Sequence, residues 1–112
     1  MKSLNIPPQE RVILFQFKKS LKKSLGDNLV SIQLFGSKAR GDYGKDSDID
    51  ILLVIKKRDY RIEELIYNTV VDLMLKNGLY LSVKIFGSEE FEKLNKIPTV
   101  FMQKVRQEAI KL

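Results

Sequence analysis

Ile51-Leu52-Leu53-Val54-Ile55 is the stretch that most limits how this chain can fold. Successive side chains on a strand point to opposite faces, so five aliphatic residues in a row cannot all be buried on one side. The run therefore predicts a strand, from Asp48 to Ile55, with apolar cover on both faces. At five residues it is far too short to span a bilayer.

The rest of the chain supplies the cover. Pro7 and Pro8 suit the first turn of a helix. Leu14, Phe17, Leu21 and Leu25 then recur at helical spacing, and Gly26 marks the stop. Val30, Ile32 and Leu34 alternate with Ser31 and Gln33, which reads as a strand. Asp59 can cap a helix with Ile62, Leu65, Ile66, Leu73 and Met74 inward, ended by Asn77-Gly78. Leu81, Val83 and Ile85 alternate with Ser82 and Lys84 as a third strand. Ser88 is placed to cap a short helix opening with Glu89 and Glu90. Pro98 leads into a last helix with Phe101, Val105 and Ala109 on one side.

The expected fold is α+β: one domain over residues 1–112, a small mixed sheet with helices packed mainly on one face. With three strands the sheet is small, and its other face is left open or covered by a partner.

Composition narrows the chemistry. The chain has no histidine and no cysteine. Acid–base work near neutral pH then falls to carboxylates, lysine or a metal-bound water. A metal site must be lined by oxygen, which favours magnesium, manganese or calcium over zinc. The formal charge of +6 suits a polyanionic ligand or a lysine-rich solvent face. The densest run, Lys18, Lys19, Lys22 and Lys23, lies at helical spacing without interleaved aromatics, a weak nucleic-acid signal. No signal peptide or membrane span is visible, so a cytoplasmic protein is expected.

The informative constellation is Leu34-Phe35-Gly36-Ser37-Lys38-Ala39-Arg40-Gly41 followed by Ser47-Asp48-Ile49-Asp50. Glycine after a strand allows a sharp turn and the close approach of an anion. N–H groups opening the next turn, with the Ser37 hydroxyl, would point at it. Lys38 and Arg40 add positive charge, and Arg40 could fork onto phosphate oxygens. Asp48 and Asp50, two apart on a strand, share a face, where their repulsion is relieved by a divalent cation. Magnesium takes one or two carboxylates together with phosphate oxygens.

Gly36-Ser37 and, after ten intervening residues, Asp48-Ile49-Asp50 resemble the signature of the DNA polymerase β-like nucleotidyltransferases. The fuller string is similar to the minimal nucleotidyltransferases, small prokaryotic proteins that include MntA-like antitoxins of helical HEPN-type toxins. Most of the chain is covered, including Ser88-Glu89-Glu90-Phe91 and the helix after Pro98. The resemblance implies transfer of a nucleoside monophosphate, AMP from ATP or another nucleoside triphosphate, to an acceptor hydroxyl such as a tyrosine of the partner toxin. It implies that Gly36 and Ser37 hold the triphosphate, and that Asp48 and Asp50 are catalytic and hold Mg2+, with Mn2+ as a substitute. A HEPN-type partner is expected, nucleic acid and membrane are not, and a homo-oligomer is left open.

The family usually carries a third carboxylate on the next strand. Here Tyr80 to Ile85 offers only Ser82 and Lys84 on its polar face. Three readings follow: the partner supplies the missing group, Lys84 replaces a second metal as a fixed cation, or the chain is a weakly catalytic or inactive nucleotide-binding antitoxin acting by complex formation.

Overall fold

The fold is a computed structural model that describes residues 4–44 and 47–112. Its elements are α1 (Pro8–Leu25), a short 3₁₀ turn at Gly26–Asn28, β1 (Leu29–Phe35), α2 (Ser37–Arg40), β2 (Ile49–Ile55), α3 (Tyr60–Asn77), β3 (Leu81–Gly87), α4 (Ser88–Asn95), α5 (Val100–Glu108) and β4 (Ile110–Lys111). The strands form one mixed sheet in the order β3-β2-β1-β4. β1 runs antiparallel to β2 and to β4, while β2 and β3 are parallel. A parallel pair needs a long crossover, and α3 provides it.

Local chemistry accounts for most boundaries. Gly26 ends α1 at φ 53°, a conformation open to glycine. The Asp59 carboxylate accepts the Ile62 N–H at 3.0 Å, and the Thr99 hydroxyl accepts the Met102 N–H at 3.2 Å, capping α3 and α5. Ser88 is the first residue of α4 rather than its cap. That end is tied instead by Glu90, whose carboxylate accepts the Gly87 N–H at 3.3 Å.

β2 is central and buried on both faces, as its apolar run predicts. On one face Ile49, Ile51, Leu53 and Ile55 meet Leu14, Phe17 and Leu21 of α1 and Ile66 and Val70 of α3. On the other, Leu52 and Val54 lie under Phe35, Phe86, Phe91, Phe101 and Val105. Phe35 and Phe101 meet edge-on with centroids 5.6 Å apart. The second face is therefore not left open along β2: the chain's own α4 and α5 cover it. Among the described residues no helix is long and apolar enough to cross a membrane.

Three further details differ from the sequence expectation. β4 is an additional strand of two residues. Leu65 points outward, since Ile66 and Val70 take the inner face of α3. Val30 is half exposed, because the β1–β2 register slips between Leu29 and Ser31 and breaks the alternation there.

Leu53 is fully buried between the sheet and the two long helices. Leu53→Ala should lower the unfolding free energy by about 2–5 kcal/mol. Val12→Ala, on the exposed side of α1, should change it by less than about 0.5 kcal/mol. Urea denaturation of both variants measures the difference.

Candidate functional site

The register of the sheet brings the two halves of the motif together. Because β1 and β2 are antiparallel, the last residue of β1 stands beside the start of β2, and Phe35 pairs with Asp50. The next residue, Gly36, turns away at φ 75°, in the left-handed region, and α2 follows. A Cβ on Gly36 would lie 2.5 Å from Asp50 Oδ2 and 3.3 Å from its Cγ. The carboxylate thus occupies the space that any side chain at position 36 would need. Only glycine satisfies both the backbone angle and this approach.

The Gly36 carbonyl accepts the Ala39 and Arg40 N–H groups at 3.0 Å, fixing the turn. The Ser37 and Lys38 N–H groups, at the start of that turn, have no intrahelical acceptor. Asp48 is exposed and lies one residue before β2 rather than within it.

Among the described residues the Asp50 carboxylate makes no hydrogen bond or ion pair within 4.0 Å. Burial pushes its pKa above the ordinary aspartate range, and the charge of Asp48 adds to that. Lys84 and, less, Arg40 pull it partway back. Ser82 is the register partner of Asp50 on β3, and Lys84 stands two residues on, opposite Leu52. The Lys84 ammonium rests 5.0 Å from the centre of the Phe101 ring.

Two predicted basic residues are placed differently from the expectation. Lys38 does not offer a free charge at the turn. It is buried, with its ammonium 2.9 Å from Glu10 Oε1 and 4.0 Å from the centre of the Tyr43 ring. The ion pair is close but not aligned as a hydrogen bond. Tyr43 also donates to the Asn5 carbonyl at 3.2 Å. Lys38 thus fastens α2 to the start of α1. Arg40 is not a free fork either: its Nε meets both Asp42 oxygens, at 3.2 and 3.1 Å, and Nη1 meets Glu108 at 3.1 Å. It stays within electrostatic reach of Asp50. Glu10, Asp42 and Glu108 escaped the sequence reading. Only Asp42, two residues from Arg40, left a local trace.

The donor set suits a hard divalent cation. Asp48 and Asp50 are adjacent carboxylates, one of them partly desolvated and lacking a bonded cation among the described residues. No group of three or more candidate ligands occurs among those residues. A bound ion would complete its shell with substrate oxygens and water, as magnesium commonly does.

Residues 14–109 match the family model of the nucleotidyltransferase domain. A Methanocaldococcus jannaschii protein with a provisional protein-adenylyltransferase name is 34% identical over 103 residues, covering 88% of this chain and 93% of its own length. Against two similarly named proteins of that organism, 47% and 36% identical over 45 and 73 residues, the match covers 40% and 62% of this chain and spans about half of each relative, 46% and 50%. The spectinomycin adenyltransferase of Enterococcus faecialis, solved with ATP and spectinomycin, superposes with a TM-score of 0.65 at 18% identity, over 91% of this chain and 55% of that one. An MNT antitoxin complex with a tri-AMPylated Shewanella oneidensis HEPN toxin gives 0.54 at 18% identity, over 91% and 70%. At such identities these two structures bear on the fold alone.

The raised Asp50 pKa has a testable consequence. Its folded value lies above its unfolded one, so the folded state holds the proton longer as pH rises. Stability is therefore complete at acid pH and is lost as pH climbs from the ordinary aspartate range through the folded value. In metal-free buffer, Asp50→Asn should raise the melting temperature at pH 7, and the gain should vanish near pH 3. An equal gain at both pH values would contradict this electrostatic picture.

Proposed function

The chain belongs to the nucleotidyltransferase domain family, and on that premise we propose that it transfers AMP from ATP to an acceptor hydroxyl, a tyrosine of a helical HEPN-type partner. The observation that carries this reading is the Asp50 carboxylate lodged against Gly36. It sets an acid that no cation binds among the described residues beside a turn able to receive phosphate. The names of the relatives and the AMPylated toxin in a structural neighbour support the nucleotide and acceptor.

In this proposal Gly36 and Ser37 receive the triphosphate through the N–H groups of the turn and the Ser37 hydroxyl. Asp48 and Asp50 hold Mg2+, for which Mn2+ substitutes. When bound, the metal neutralises charge on the triphosphate and on the departing pyrophosphate. The acceptor oxygen forms a bond to the α-phosphorus, the bond from that phosphorus to the bridging oxygen breaks, and pyrophosphate leaves. The hydroxyl proton passes to a base on the acceptor side, since β3 presents Ser82 and Lys84 where the resemblance calls for an acid. Losing a general base costs about 10²–10⁴ in rate, so transfer is slow unless the acceptor side supplies one. Lys84 acts as a fixed cation within electrostatic reach of Asp50, and Arg40 adds background positive potential.

A second reading rests on that missing acid: a nucleotide-binding antitoxin that works by complex formation. The two part on one experiment. Calorimetry with ATP should show binding that needs magnesium and falls at least about tenfold in Asp48→Asn. With ATP labelled at the α-phosphate and a HEPN-type partner, label should appear on a partner tyrosine. Magnesium-dependent binding without transfer would favour the second reading. No magnesium-dependent binding would remove both.

A further inference from the structure

The phosphate turn and the two aspartates fix the side from which an acceptor must come. Gly36 leaves the end of β1, and Asp48 and Asp50 stand at the start of β2, the neighbouring strand. On the reading proposed above, the pyrophosphate is held on the β1 side of the aspartates. In an in-line displacement the attacking oxygen lies opposite the departing one. The acceptor hydroxyl must therefore approach from the other side of the aspartates, where β3 runs.

β3 brings an exposed phenol to that side. β2 and β3 are parallel, so their first residues lie at the same end of the sheet, with Ile49 opposite Leu81 and Asp50 opposite Ser82. The Ile49 N–H donates to the Tyr80 carbonyl at 3.0 Å, which carries the ladder one residue back and sets Tyr80 next to Asp48. Neighbouring strands are about 4.8 Å apart. Ile49 and Leu81 are buried in the core shared with α1 and α3. By strand alternation the residues before them, Asp48 and Tyr80, belong to the opposite face. Both are exposed, Tyr80 by 69%. Among the described residues the Tyr80 hydroxyl makes no hydrogen bond. The other three tyrosines are placed elsewhere. Tyr43 gives its hydroxyl to the Asn5 carbonyl. Tyr60 and Tyr67 lie on α3, which packs on the face away from Asp50.

We propose that the chain, without a partner, adenylylates its own Tyr80, an inference that rests on the transferase reading above. The Tyr80 oxygen forms a bond to the α-phosphorus of ATP, the bond from that phosphorus to the bridging oxygen breaks, and pyrophosphate leaves. The phenol proton passes to water, which the exposed side chain meets directly. Two features favour Tyr80 over Ser82, the other hydroxyl on this side. A phenol has a pKa of about 10 and ionises far more readily than an alkyl hydroxyl, so it depends less on the carboxylate that β3 lacks. Ser82 is also only part-exposed, within the strand. Tethering next to the site turns a bimolecular encounter into an intramolecular one, which offsets part of the missing base.

The test incubates the purified full chain alone with magnesium and ATP labelled at the α-phosphate. Tandem mass spectrometry locates the label, and calorimetry measures ATP binding on the same preparation. One AMP should appear, on Tyr80, at a rate per molecule that stays constant as the chain is diluted. Tyr80→Phe should abolish the label, and the double variant Tyr60→Phe/Tyr67→Phe should keep it. Magnesium-dependent ATP binding with no label on the chain would overturn this proposal and leave the transferase reading standing. Label on Ser82 or on another tyrosine, or a per-molecule rate that falls with dilution, would overturn it as well. Absence of magnesium-dependent ATP binding would remove both it and the reading beneath it.

Discussion

The function proposed for this molecule depends on one close approach, the Asp50 carboxylate lodged where a side chain on Gly36 would sit. A carboxylate at the mouth of an apolar strand is costly unless something compensates it. Here the immediate neighbours make matters worse, since Asp48 lies next to it and burial strips part of its water. Lys84 and Arg40 act only from a distance. An electrostatic debt of this kind is characteristic of functional sites, where a ligand rather than the fold supplies the missing charge.

The fold makes that approach unavoidable. β2 is buried on both faces and must be central. Pairing it antiparallel with β1 forces the exit of β1 and the entry of β2 to the same end of the sheet. Pairing it parallel with β3 brings the start of β3 there too, with Ser82 and Lys84. Three strand ends therefore converge, and the Gly36 turn is pinned from behind by the buried Lys38–Glu10 contact and Tyr43. The site residues sit on or next to strands: Gly36 follows β1, Asp48 precedes β2 and Asp50 lies within it.

Much of this was legible in the sequence because it is written in local patterns. The aliphatic run fixed the central strand. Glycine before a short polar turn and two acids at spacing two marked the candidate site residues, and Asp59 and Gly78 gave the bounds of α3. What was not legible depends on partners distant in the chain. Lys38 reads as a surface charge until α1 brings Glu10 against it. Arg40 reads as a phosphate fork until Glu108, 68 residues away, is found beside it. β4 is too short to leave a periodic trace, and the slip at Val30 has no signature in a segment that otherwise alternates cleanly. The cover of the second face by α4 and α5 came from phenylalanines scattered over four elements, which no single window of sequence contains.

The central claim is that the Gly36 turn and the two aspartates form one metal–triphosphate site. It is tested most directly by paramagnetic broadening of amide resonances on adding Mn2+ with ATP to the ¹⁵N-labelled chain. The account predicts early and selective loss of the Gly36, Ser37, Ile49 and Asp50 signals, with those of α3 unaffected. Broadening centred elsewhere, or the same pattern in Asp50→Asn, would contradict it.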